Sequence, residues 1–402
     1  MRLHLLAATL LLGLAAPILA QRALAQKPVR IALIEDKTGP LEAYARQLIT
    51  GFRLGIEYAT HGSNVVAGRR FEIIEKDSQF KPEVGRNLLA EAYGDDGVDL
   101  AVGGTSSGVA LAMLPIALEH KKVLIVDGAV ADSITGDRWN RYVFRVDRNS
   151  SQDAISNALS IGRPGVVIAT LAQDYAFGRD GVAAFRAALA KTGARLVHEE
   201  YAPPTNTDFT APAQRIFDAL AKETGEKMLF VLWAGADPMA KLGALDPQRL
   251  GIRLATGGNI LPVLKSYKAV PSLEGMEGAT YYYFDIPRNP ANDWLVAEHR
   301  KRFNNDPPDF FTANGMATGM ALVAALEKTK GNTDAEVLIP AMEGMEFDSP
   351  KGRMQFRRED HQVLQSMYGF RLKNDPATPW AVPVLTREFK IEDMQVPIAN
   401  KR

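Results

Sequence analysis

The stretch Gly103-Gly104-Thr105-Ser106-Ser107-Gly108 carries the densest chemistry in the chain. It follows the short apolar run Asp99-Leu-Ala-Val-Gly103 and precedes a helical pattern over Val109–Glu119, so it sits where a strand turns into a helix. Glycine lets a ligand approach the backbone closely. Serine hydroxyls and the unpaired N–H groups of a first helical turn together make an anion pocket, for which a carboxylate is the natural guest. A plainer role stays open beside it, in which Ser106 or Ser107 caps its own helix.

The same residues spell G-x-S-x-G from Gly104 to Gly108, the nucleophile-elbow pattern of serine hydrolases. Under that alternative Ser106 attacks, and His299 or His361 completes a triad. His299 lies in the charged run Ala297-Glu-His-Arg-Lys-Arg302 and His361 in Arg358-Glu-Asp-His-Gln362, and neither setting is distinctive. The remaining histidines beyond the leader, His61, His120 and His198, form no close pair, and no HExxH or calcium-loop spacing occurs. With no P-loop, no GxGxxG and no cysteine, neither a metal nor a cofactor is expected. Two further loops offer aromatic surface at strand ends: Asp174-Tyr175-Ala176-Phe177-Gly178 and Trp233-Ala234-Gly235-Ala236-Asp237-Pro238.

These loops need elements to hold them, and the sequence provides a strand–helix rhythm. Val29–Glu35, Phe71–Glu75, Asp99–Gly103, Val123–Val126 and Tyr142–Arg145 read as strands, with helices over 41–58, 82–93 and 109–119 between them. A polar seam, Asp147-Arg148-Asn149-Ser150-Ser151, follows, and the rhythm restarts with strands at 165–169, 194–198, 228–233 and 252–256. Alternation of this kind predicts an α/β fold of two Rossmann-like lobes, each with a parallel sheet, joined by crossover segments. Beyond Glu277 the pattern changes. Tyr281–Phe284 reads as a strand, helices follow over 292–303 and 313–328, and strands near 353–356 and 366–372 look antiparallel.

The N-terminus has the anatomy of a secretory leader, with Arg2 and His4 ahead of the 16-residue apolar run Leu5–Ala20 and Ala23-Leu24-Ala25 as a cleavage signal. That run is short of the roughly 20 residues needed to span a bilayer. A protein exported to the periplasm is expected, with no direct membrane anchor, since the cysteine of a lipoprotein is missing. The 47 basic and 47 acidic residues balance, which gives no support to nucleic-acid binding.

In these motifs the chain resembles the leucine/isoleucine/valine-binding proteins of ABC transporters, a family of type I periplasmic binding fold. The marks are Thr38-Gly39-Pro40 after the first strand, the 103–108 loop, Gly128-Ala129-Val130-Ala-Asp-Ser-Ile-Thr135, Tyr142–Arg145, the 174–178 motif and Thr207-Asp-Phe-Thr210. The resemblance implies a receptor that captures a small carboxylate-bearing ligand between its lobes by domain closure and presents it to an inner-membrane ABC permease. A ligand-sensing subunit of the same fold is the alternative. It assigns the carboxylate and part of the ammonium to Ser106, Ser107, Gly128, Ala129 and Val130, places Tyr175 and Phe177 against the ligand, and brings Glu42 and Tyr44 to the rim.

Two positions depart from the family's amino-acid binders. Val130 stands where a threonine is common, and Asn259 stands where an acid follows a late strand; Asp237 is the neighbouring substitute. A buried ammonium without a carboxylate partner is costly. An aromatic acid is therefore expected at least as readily as an amino acid, with Tyr175, Phe177, Trp233, Tyr282 and Phe311 as walls. The expected division is a leader over 1–25, a first lobe of 26–146 with about 278–343, and a second of 147–277 with about 344–402.

Overall fold

The computed structural model describes residues 27–400, so the expected leader lies outside the described residues. Five parallel strands and one short antiparallel edge form the first sheet. Val29–Glu35 sits centrally between Arg69–Asp77 and Leu100–Gly103, and Leu124–Val126 and Val143–Arg145 continue outward. The central strand is buried along nearly its whole length, as both faces are covered by helices. The second sheet is parallel too, in the order Ile252–Thr256, Glu226–Leu232, Val166–Gln173, Arg195–Ala202.

The chain's last third divides differently from the expected boundaries. Phe347, Met354, Phe356 and Val363 are buried in the first lobe's core, so the small antiparallel sheet over residues 346–364 packs there and not on the second lobe. Glu277–Thr280, Met367–Lys373 and Val382–Phe389 form a separate antiparallel sheet whose buried side joins the second core. The strand expected at Tyr281–Phe284 ends at Thr280, and the tyrosine run continues as irregular chain. Its rings are buried through tertiary contacts, which a period-2 reading of local sequence cannot separate from strand burial.

Two long helices, Glu42–Ala59 and Phe310–Lys328, cross backbone to backbone. A Cβ on Gly51 would lie 2.1 Å from Thr312 O, and one on Gly315 2.2 Å from Leu48 O. Glycines four residues apart fall on one helix face, which is what permits this approach. At their N-terminal ends the two helices present Tyr44, Phe310 and Phe311 towards the second lobe, whose core they extend. No helix among the described residues is long and apolar enough to cross a membrane.

Candidate functional site

The cleft between the lobes encloses about 940 Å³, its open mouth included. Its floor comes from two loops at the carboxyl ends of first-sheet strands, the place where open α/β sheets bind ligands. Gly103 and Gly104 both have positive φ, 139° and 91°, and turn the chain sharply; a Cβ on Gly103 would strike Ile34 O at 2.0 Å. Beyond that turn Thr105 Oγ1 donates to Glu35 Oε2 (2.5 Å) and accepts from Asp36 N (3.1 Å), which anchors the loop to the central strand. Ser107 Oγ accepts from Ala131 N at 3.2 Å and ties the two loops together. Its hydroxyl proton has no protein acceptor among the described residues. The amides of Gly128, Ala129 and Val130 likewise donate to no protein acceptor there, although all three residues line the cleft.

The charged groups come from the first crossover. Asn149 Oδ1 accepts from Gln152 N (2.9 Å) and caps the helix Ser150–Ile161. That start brings Arg148, Ser150, Asp153 and Asn157 to the cleft wall. Arg148 donates through Nη1 to Asp147 (2.7 Å) and through Nε to Asp153 Oδ1 (3.1 Å), and its guanidinium lies 4.9 Å from the Phe310 ring centre and 5.3 Å from that of Tyr281. Burial opposes its charge, but the two carboxylates more than offset this and hold its pKa above the ordinary guanidinium value. Burial in turn pushes Asp147 up to about 6 against the pull of Arg148, and raises Asp153 in the same way. Behind them the Lys351 ammonium, 3.8 Å over the Tyr281 ring, donates to Gln365 and to Ser366 O, and burial holds its pKa well below the usual lysine value.

Aromatic side chains close the walls. Tyr44 stacks on Phe311 with ring centres 4.4 Å apart, accepts from Gly235 N (3.0 Å) and donates to Asn259 Oδ1 (3.5 Å). Burial pushes its phenol up to about 12. Tyr175 and Phe177 lie 5.9 Å apart at the start of the helix Ala176–Leu189, and Trp233 packs edge-on against Phe209.

Of the residues singled out from sequence, Tyr44, Ser107, Gly128, Ala129, Val130, Tyr175, Phe177, Trp233 and Asn259 come together in this lining. Ser106 and Asp237 do not. Ser106 Oγ accepts from Val109 N at 3.3 Å, so it caps the helix Ser107–His120 behind the lining. Asp237 is spent on Tyr267 Oη (2.8 Å), Met239 N (2.8 Å) and Asn259 Nδ2 (3.2 Å), and burial raises it to about 6. Glu42 is exposed and paired with Arg46. Tyr282 turns away to donate to Asn292, and its neighbour Tyr281 takes the wall instead.

Sequence reading missed Arg148 and Asp153 because the seam looked like a polar linker. The spacing Asn149-x-x-Gln152 is a helix-start pattern and would have placed Asp153 one turn inside a helix. The triad alternative finds no geometry: His361 bonds Val143 O and Glu343, His299 bonds Asp306 O, and neither bonds Ser106. Among the described residues no group of three or more His, Cys, Asp or Glu is placed to hold a metal ion.

Comparison with known proteins agrees with this architecture. The periplasmic binding protein family matches over residues 28–377. A solved ABC-type branched-chain amino acid transporter protein from Rhodopseudomonas palustris is 63% identical, covering 93% of this chain and 100% of its own, with a TM-score of 0.82. A solute-binding protein of an ABC transporter from Rhodopseudomonas palustris BisB5, solved in complex with 3,4-dihydroxybenzoic acid, is 27% identical over 91% of this chain and 98% of its own, with a TM-score of 0.78. The Leu/Ile/Val-binding protein homolog 6 of Brucella melitensis is 27% identical over 85% of this chain and 86% of its own. The chain thus belongs to the periplasmic binding protein family, as a solute-binding receptor of the ABC-transporter type with the type I fold, and not an enzyme.

Proposed function

We propose that this receptor works in the periplasm, captures a small carboxylate-bearing molecule, an aromatic acid or an amino acid, in the cleft, and hands it to an inner-membrane ABC permease. The observation that carries the ligand reading is the set of unspent donors at the cleft floor. The Ser107 hydroxyl and the amides of Gly128, Ala129 and Val130 lie within an aromatic-walled cleft that also holds the Arg148 guanidinium. Buried N–H groups without acceptors are rare in native proteins, and a bound carboxylate is the acceptor such a set fits. Tyr44, Phe311 and Tyr175 would cover a ring or a branched side chain.

Relatives fall on both sides of the ligand choice. One at 27% identity was solved with 3,4-dihydroxybenzoic acid, and others are named as Leu/Ile/Val-binding proteins. Capture would proceed by closure of the lobes about their crossovers. Contacts across the cleft fit such a closed form: Ser133 N–H and Oγ–H both reach Asp180 Oδ2 (2.9 and 2.7 Å), and Tyr44 reaches Gly235. The test is a thermal-shift screen of the purified chain against aromatic acids, aliphatic acids and amino acids. A ligand at 100 times its Kd adds about 2.7 kcal/mol to stability and raises the melting temperature. A panel in which no carboxylate raises it overturns the proposal.

A further inference from the structure

Within the cleft, the side-chain amide oxygens are already used. Asn259 Oδ1 takes Ile260 N–H (2.9 Å) and the Tyr44 hydroxyl, and Asn157 Oδ1 takes Ala279 N–H (2.8 Å). Thr256 and Ser150 turn their hydroxyl protons onto Val231 O and Val130 O. Asp153 is the one carboxylate among the lining residues. Its Oδ1 is held by Arg148 Nε, its Oδ2 has no protein donor among the described residues, and its side chain keeps 30% of its surface open at the cleft wall. A ligand that fills the cleft displaces water from such an acceptor, and leaving it unmatched then costs free energy that a ligand donor recovers. A ligand offering only a carboxylate there would set a second negative charge beside an acid whose ion-pair partner, Arg148, is already shared with Asp147.

We infer that Asp153 is the specificity-determining residue of this cleft, and that it selects carboxylates which also carry an N–H or O–H donor over bare carboxylates. The inference rests on the proposed ligand reading and sharpens it. The donor could be a phenolic hydroxyl or an ammonium, and the experiment separates the two.

Calorimetric titration of the full mature chain would use matched pairs that differ in the donor alone: 3- and 4-hydroxybenzoate against benzoate, and L-leucine against 4-methylpentanoate. The wild type is expected to prefer the donor-bearing member of one pair by about tenfold or more, the size of a hydrogen bond to a charged group. Asp153→Ala is expected to erase that preference by weakening the donor-bearing ligand while leaving the bare acid equal or tighter. A general loss of structure would weaken both members alike, so the ratio within a pair isolates recognition. Asp153→Asn keeps a neutral acceptor and also serves should the alanine variant fail to fold: it retains most of a hydroxyl preference but loses an ammonium preference. Equal binding of both members of every pair to the wild type, or a preference that survives Asp153→Ala, overturns this inference alone. Failure of every acid to bind the wild type overturns the ligand reading and the inference together.

Discussion

Ser106 and Ser107 are adjacent and chemically identical, yet they do different work. Ser106 closes its own helix turn, whereas Ser107 ties two loops together and keeps a proton free at the cleft. Ser107→Ala is therefore expected to weaken a carboxylate ligand by about tenfold or more, the scale of one charge-assisted bond. Ser106→Ala should change affinity by less than about threefold while lowering unfolding free energy by ~1 kcal/mol through the lost cap. Calorimetry and urea denaturation on both variants check this, and the reverse pattern would return Ser106 to the site. Glycine alone makes the turn before them possible, because Gly103 needs both a positive φ and the absence of a Cβ.

At the scale of elements, the helix pair Glu42–Ala59 and Phe310–Lys328 sets the aromatic wall. Gly51, Gly55, Gly315 and Gly319 put each backbone against the other, with substituted Cβ atoms falling 2.1 to 2.5 Å from backbone oxygens. Backbone cannot yield as a flexible side chain can. Gly315→Ala should cost at or above the upper end of the ~1–3 kcal/mol typical of overpacking, read as a lower urea midpoint at unchanged slope. Forcing the helices apart also displaces Tyr44 from Phe311, so affinity should fall with stability. An alanine variant as stable as the wild type would show that the helices do not need this approach.

For the whole molecule, buried acids make stability depend on pH in an unusual direction. Burial raises Asp127 to about 7 and Asp147, Asp237 and Asp309 to about 6, and it lifts Glu35, next to Asp127, well above the carboxylate range. In the unfolded chain such groups titrate near ~3.9. Between about pH 4 and pH 7 the folded state thus binds more protons than the unfolded one, and this contribution to stability falls as pH rises. Scanning calorimetry at constant ionic strength should find a melting temperature several degrees higher at pH 5 than at pH 8. Asp127→Asn should flatten part of that slope, since both oxygens of Asp127 are buried without a donor. A melting temperature that rises with pH across this window would contradict the assignment.

The sequence by itself determined the strand–helix alternation, the two parallel sheets and the loops at their carboxyl ends, because hydrophobic period and turn residues are local properties. It also marked the Ser107 loop and the aromatics at strand ends, since strand-to-helix turns announce themselves in glycine and serine, whereas the Gly128–Val130 loop was named only by the family resemblance. Only the tertiary structure decided the rest. Which serine faces the cleft depends on a helix cap against a loop-to-loop bond between residues 24 positions apart. That Asp237 is consumed by Tyr267 and Asn259, that 346–364 joins the first core, and that Tyr281 and not Tyr282 lines the cleft all follow from long-range packing. Arg148 and Asp153 show the same division: local sequence marks the helix start, but only the approach of Phe310 and Tyr281 turns that crossover into a cleft wall.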